Sequence, residues 1–230
     1  MAHRANIYGF KKSDIFLASI MAGIGLIVGA KIVFMISVIP DYINHWDIVT
    51  SDIPYAIFYA LSGFVFYGGL IGVILMLLLY CRHLELDFGS FMNVVAPVIP
   101  FIHGLGRVGC FFGGCCYGIE YHGPLSVQFP DNPFVEDLNL VPRFPIQLLE
   151  AAINIVIFII LYQISKKPRK PGFMLGLYLI TYAIIRFSLE FLRGDVERGF
   201  FLNVSTSQWI SLILIPIGIY LIVRKRKSNA

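Results

Sequence analysis

Six stretches of roughly 20 apolar residues, near 15–38, 57–80, 92–114, 147–164, 173–192 and 208–223, constrain this chain more than any other feature. A run of about 20 apolar residues is long enough to cross a bilayer as a helix. Lipid offers the backbone no hydrogen-bond partner, so each crossing run must be helical. The expected fold class is therefore all-α, a polytopic transmembrane helical bundle of about six spans, forming a single integral membrane domain over 1–230. The second and third stretches are rich in Gly and Pro, so part of each is expected to be broken or re-entrant. The longest connection, 117–146, is expected to form a structured outward-facing loop or arm. Composition agrees: 57% of residues are hydrophobic and 14% charged, against about 25% charged in soluble domains. The mean hydropathy is +0.77. Nucleic acid is not an expected partner of such a chain.

Loop charges set an expected orientation. Arg4, Lys11, Lys12, Arg82, Lys166, Lys167, Arg169, Lys170, Arg224, Lys225, Arg226 and Lys227 flank one side, twelve of the 18 basic residues. The alternating loops carry Asp41, Asp47, Asp52, Glu120, Asp131, Glu136 and Asp137. Basic loops stay cytoplasmic, so both termini of a multi-pass protein of the cell (inner/plasma) membrane are expected there.

The remaining cations carry the functional information. Lys31, Arg107, Arg186 and Arg193 fall in the outer halves or at the outer ends of their spans, Arg143 lies just outside the fourth, and Arg198 lies beyond the fifth. Glu150 and Glu190 accompany them. A charge in a membrane span costs roughly 2.5–3.5 kcal/mol on insertion scales, so several at one depth need a shared compensation. Salt bridges between helices are one answer, and Arg186 and Glu190 have the i,i+4 spacing of a helical pair. Five cations against two acids still leave a positive surplus, which suits an anion. The planar fork of arginine fits phosphate in particular, and phospholipid is the anion available at that depth.

The motifs add a resemblance. The chain reads FYGGLIGV at 66–73, HGLGRVGCFFGGCCYG at 103–118, VPRFPIQLLEA at 141–151, RFSLEFLRGD at 186–195 and STSQWISL at 205–212. In this order and spacing they resemble the prolipoprotein diacylglyceryl transferase family, from about Gly25 to Ile215. The resemblance implies transfer of a diacylglyceryl group from phosphatidylglycerol, or a similar anionic phospholipid, to the lipobox cysteine thiol of a prelipoprotein acceptor. Glycerol phosphate is released and no cofactor or metal is implied. The same resemblance implies Arg107 and Arg193 as the essential arginines and Gly118 as the signature glycine. It keeps Arg143 and Gln147 from the Arg-x-Pro-x-Gln-Leu block. Three positions depart: Tyr67 stands where the family has a histidine, Cys110 where it has an asparagine and Cys115 where it has an acid. Two rival readings keep the membrane fold: a related transferase with another acceptor, and a non-enzymatic lipid transporter or accessory protein.

Displacing glycerol phosphate requires that phosphate charge be stabilised and the acceptor thiol be deprotonated. Arg107 and Arg193 suit the first task, with Glu190 beside Arg186 as a further pocket residue. His103, one helical turn before Arg107, is the candidate base, or else a hydrogen-bonded packing histidine. Tyr67 is placed to hydrogen-bond a lipid oxygen. Gly68 and Gly69 either admit a head group to the backbone or pack one helix closely on another. Cys110, Cys115 and Cys116 lack the Cys-x2-Cys spacing of common metal sites. They read as small packing residues, a redox pair or catalytic thiols, with packing favoured.

Overall fold

The computed structural model describes residues 2–130, 139–195 and 199–224. Asp131, Glu136, Asp137, Arg198, Lys225, Arg226 and Lys227, counted above, lie outside the described residues. Among the described residues, six helical segments are long and apolar enough to cross a membrane, over 12–44, 66–83, 88–112, 146–164, 173–192 and 206–223. The all-α polytopic expectation holds, with five of the six stretches close to their expected ranges. The chain divides into two compact units, Ala2–Phe88 and Gly89–Ala230.

The first unit contains α1 (Ala2–Ala5), α2 (Lys12–Asn44), α3 (Trp46–Ser51), α4 (Ile53–Ser62) and α5 (Phe66–His83). Helix α2 starts where the Asp14 carboxylate accepts the Lys11 backbone N–H at 2.9 Å. The expected second span, 57–80, is divided: α4 ends at Ser62 and α5 begins at Phe66. Lys31 stabilises this break. Its Nζ donates to the Leu61 carbonyl and, at 3.0 Å, to that of Gly63, and it sits 4.2 Å from the Phe64 ring centroid. A cation at a helix C-terminus satisfies carbonyls left without helical partners and complements the dipole. Helices α2 and α5 meet through glycine: a Cβ on Gly68 would lie 2.5 Å from the Gly29 carbonyl oxygen. Only hydrogen at these positions lets the two backbones approach so closely.

The second unit begins at Gly89, within α6 (Phe88–Val95), which is joined through a 3-10 turn at Ala96–Val98 to α7 (Ile99–Phe112). Pro97 and Pro100 each remove a backbone donor, which accounts for the irregular turn. Then follow α8 (Ile146–Ile164), α9 (Phe173–Leu189) with a 3-10 turn to Leu192, a short antiparallel pair β1 (Phe200–Phe201) and β2 (Val204–Ser205), and α10 (Thr206–Val223). Helix α7 packs on α8 where Gly104 faces the Ala151 carbonyl, and α9 packs on α10 through Gly176 and Gly218. Ala96, Ile157, Leu161, Met174 and Tyr178 form one buried apolar cluster of this unit. Ser205 and Gln208 make a reciprocal capping box at the start of α10, 3.2 and 3.0 Å, which satisfies two otherwise orphan donors.

Candidate active site

Three polar side chains converge between α7 and α8. His103 and Arg107 are one turn apart on α7, and Glu150 projects from the first turns of α8. The close α7–α8 approach at Gly104 brings them together. Arg107 Nε is 3.0 Å from Glu150 Oε1, and His103 Nε2 is 3.5 Å from that same oxygen. Arg107 Nε also donates to His103 Nε2 at 3.3 Å, which requires the neutral tautomer protonated at Nδ1. On protonation the same ring nitrogen would face the Glu150 carboxylate. The Glu150 carboxylate is nearly fully buried, and the Arg107 side chain is 14% exposed. Among the described residues, the two terminal Nη groups of Arg107 have no protein partner.

A small ladder beyond α7 assembles the second group. Gly118 bridges Arg193, and Arg143 bridges both Glu120 and Val127. Ile119 N–H donates to Leu192 O, Gly194 N–H to Tyr117 O and Phe144 N–H to Ile119 O, each at 3.0 Å. The 117–119 strip therefore runs between 143–144 and 192–194. Gly118 is required by contact rather than by conformation, because a Cβ there would strike the Phe144 carbonyl. Arg193 is paired with Asp195, Nε to Oδ1 at 2.9 Å and Nη2 to Oδ2. Burial lowers the Arg193 pKa, but the hydrogen bond and charge of Asp195 outweigh it and hold the guanidinium above its ordinary value. The Arg143 guanidinium stacks 4.3 Å from the Tyr117 ring centroid. Buried Gln147 donates from Nε2 to the Cys115 carbonyl at 2.8 Å, tying the start of α8 to the cysteine turn.

That turn gathers all three cysteines. The sulfurs of Cys110, Cys115 and Cys116 lie within 4.8 Å of one another. Gly114 and Cys116 take positive φ, 64° and 56°, and Cys115 N–H donates to the Cys110 carbonyl at 3.1 Å. The Cys116 thiol accepts a hydrogen bond from Cys110, which lowers its pKa most. Burial opposes this, and the charges of Arg193 and Arg107 lower it further, to about 5. Cys115 moves the other way, raised by burial and by the neighbouring Cys116.

The remaining expected residues sit elsewhere. Glu190 pairs with Arg186, Nη1 to Oε2 at 2.8 Å, and Arg186 Nη2 donates to Ser207 Oγ at 2.7 Å; this is the i,i+4 pair the spacing suggested. Tyr67, Gly68 and Gly69 belong to the first unit. Tyr67 is 47% exposed, whereas Gly68 and Gly69 are buried against α2, the close-packing reading of the two. The positive surplus is smaller than the sequence suggested. Lys31 is held by carbonyls within its own unit, and Asp195 neutralises Arg193. Asp195, two residues after Arg193, is a partner that the motif blocks do not point to, although the Arg-Gly-Asp adjacency stands in the sequence. Glu150 was counted as a charge but not as part of the site, because nothing in its spacing points at Arg107.

The family model described as prolipoprotein diacylglyceryl transferase matches residues 1–224. Among curated proteins, the phosphatidylglycerol–prolipoprotein diacylglyceryl transferase of Clostridium tetani is 35% identical, over 94% of this chain and 83% of its own length. Its counterparts in Idiomarina loihiensis and Proteus mirabilis are 33% and 30% identical, over 89% and 94% of this chain and 74% and 78% of theirs. A match that spans nearly the whole chain, together with six apolar helices among the described residues, makes this chain a member of the prolipoprotein diacylglyceryl transferase family.

Proposed function

We propose that this multi-pass membrane protein transfers a diacylglyceryl group from phosphatidylglycerol to a prolipoprotein, with the acceptor sulfur being the lipobox cysteine and glycerol phosphate the leaving group. The chain is a transferase, and family membership removes the lipid-transporter alternative. The observation that carries the site assignment is the anchoring of Arg107 through Nε by Glu150, which leaves both Nη donors for another partner. A guanidinium fixed this way offers a preoriented fork to the lipid phosphate, where charge builds as the glyceryl C–O bond breaks. Arg193, oriented by Asp195, adds a second cation near Cys116. His103 serves as base for the acceptor thiol. Its neutral Nε2 faces the Arg107 Nε–H at 3.3 Å. It takes the thiol proton once that N–H is held by Glu150 alone at 3.0 Å, and the imidazolium so formed is stabilised by Glu150. Arg143, Gln147 and Gly118 hold the ladder that carries Arg193. Tyr67 offers a hydroxyl to a lipid oxygen.

The orientation proposed has both termini in the cytoplasm of a cell-membrane protein and 117–146 facing outward, on the strength of the basic-loop bias. In a cysteine-free variant, a cysteine introduced at Ser126 should react with an impermeant maleimide in intact cells, and one at Ser13 should not. The reverse pattern overturns the orientation. The chemistry is tested by transfer of radiolabelled diacylglycerol to a lipobox peptide in phosphatidylglycerol vesicles. Arg107→Lys should retain about 1% of the activity, a loss of roughly 2.7 kcal/mol in transition-state stabilisation. Wild-type rates for both Arg107→Lys and His103→Gln would overturn the assignment. A second reading, a transferase with another thiol acceptor, is favoured by Cys110 and Cys115 standing where the family has an amide and an acid. It predicts transfer to small thiols but not to lipobox peptides.

A further inference from the structure

The three thiols at the end of α7 have an arrangement that packing does not explain. Cys115 is exposed, so its side chain fills no core. Cys116 adopts φ 56°, a conformation costly for any residue with a Cβ unless something else favours that residue. The turn is also held from outside: Gln147, 1% exposed, grips the Cys115 carbonyl at 2.8 Å, and the Gly118–Arg193 bridge fixes the chain just beyond. Three sulfurs within 4.8 Å of one another approach the spacing a single soft ion demands. Zinc–sulfur bonds are about 2.3 Å, which puts sulfurs of a tetrahedral site about 3.8 Å apart. Modest side-chain rotations close that difference. The sequence spacing, one cysteine followed five residues later by an adjacent pair, falls outside familiar ligand patterns, so spacing alone does not point to a metal.

We propose that Cys110, Cys115 and Cys116 bind one thiophilic d10 cation of the Zn(II) class, leaving a fourth coordination position for the thiolate of the acceptor cysteine. Three protein ligands with an open position are the arrangement of catalytic rather than structural zinc, and the exposure of Cys115 gives an outside ligand access. Three thiolates around a divalent ion leave one negative charge, and an incoming thiolate makes two. The guanidinium groups of Arg193 and Arg107, both within electrostatic reach of Cys116, offset that charge. The two family positions occupied by cysteine, 110 and 115, are both ligands in this site.

This proposal rests on the transferase reading and gives it a route to the nucleophile. Binding to the ion makes the acceptor thiol acidic, and its proton leaves to His103 or to solvent. The metal-bound sulfur then attacks the glyceryl carbon. An S–C bond forms, the C–O bond to phosphate breaks, and the electron pair departs with the oxygen of glycerol phosphate. No oxidation or reduction occurs. The product thioether carries no charge and is a poorer ligand than a thiolate, so it leaves the ion and frees the fourth position.

The test uses the full chain, purified reduced in detergent, with Co(II) as a spectroscopic probe. Thiolate-to-cobalt charge-transfer absorption should saturate at one ion per chain, and Zn(II) should displace it. Cys115→Ser and Cys116→Ser, checked for native helicity by circular dichroism, should each weaken binding about tenfold or more. A lipobox peptide should shift the cobalt spectrum, and the same peptide with serine in place of its cysteine should not. Chelation should abolish diacylglyceryl transfer and Zn(II) should restore it. Absence of the charge-transfer band, an unchanged band in the folded serine variants, or full activity after chelation would each overturn the proposal. A chain that binds the ion and responds to the cysteine peptide, yet transfers nothing, would instead sink the transferase reading and leave the metal–thiolate site standing.

Discussion

A single carboxylate oxygen, Glu150 Oε1, lies 3.0 Å from Arg107 Nε and 3.5 Å from His103 Nε2. It thereby orients the proposed phosphate fork and the proposed base from one point. Glu150→Gln keeps the shape and removes the charge, leaving a largely buried arginine without its counter-ion. The expected cost is about 3–5 kcal/mol of stability, read as a lower melting temperature in detergent. Transfer activity should fall by about 100-fold or more. An active, fully stable Glu150→Gln protein would show that the pair orients nothing.

Gly118 gives a sharper steric prediction. A Cβ there meets the backbone carbonyls of Phe144 and Leu192, the latter at 3.1 Å, and backbone hydrogen bonds hold both neighbours in place. Gly118→Ala should therefore destabilise the ladder by about 1–3 kcal/mol and displace Arg193 with it. The measurement is kcat alongside thermal stability. Loss of kcat larger than the stability change accounts for would identify the ladder as the support of Arg193.

Tyr67 and its two glycines separate contact with lipid from packing. Tyr67→Phe should leave stability unchanged and raise KM for phosphatidylglycerol several-fold, since one hydrogen bond contributes about 0.5–1.5 kcal/mol. Gly68→Ala should do the opposite. Its new Cβ would sit 2.5 Å from Gly29 O and 2.6 Å from Val33 Cβ, which forces α2 and α5 apart. If Gly68→Ala changed KM without lowering the melting temperature, the glycine would face a head group after all.

The membrane helices were legible because hydropathy over about 20 residues is a strong, local signal. The break in the second stretch is also foreshadowed by its Gly content, though not the role of Lys31 in satisfying its carbonyls. That role needs a contact between residues 30 positions apart. Arg107 and Arg193 were legible from the motifs, and their partners were not. Glu150 reaches Arg107 only because Gly104 lets α7 approach α8, a tertiary fact with no sequence period. The cysteine cluster was the opposite case, obvious in sequence but read by spacing alone. The positive φ at Gly114 and Cys116 curls the turn so that residues five and six apart converge, and spacing rules written for ordinary turns do not anticipate it.

Asn93 tests whether stability and chemistry are separable in the second unit. It is fully buried. Its Nδ2 donates to the carbonyls of Arg169 and Lys170 at 3.2 and 2.8 Å, and its Oδ1 accepts from Met174 N–H at 3.0 Å. One amide thus joins α6 to the loop before α9 and satisfies the first turn of that helix. Asn93→Ala strands two carbonyls and one N–H in an apolar setting, each at about 1–3 kcal/mol if no water replaces the amide. Asn93→Asp keeps an acceptor for Met174 but places a carboxylate against two carbonyls, so it should fare no better. Neither change touches the Arg107 or cysteine groups. The expected result is a markedly lower melting temperature, with kcat of the protein that remains folded within about twofold of the parent. If Asn93→Ala instead lowered kcat at a temperature where the protein is fully folded, α6 and the 165–172 loop would have to be coupled to the reacting groups, and stability and catalysis would not be separable here.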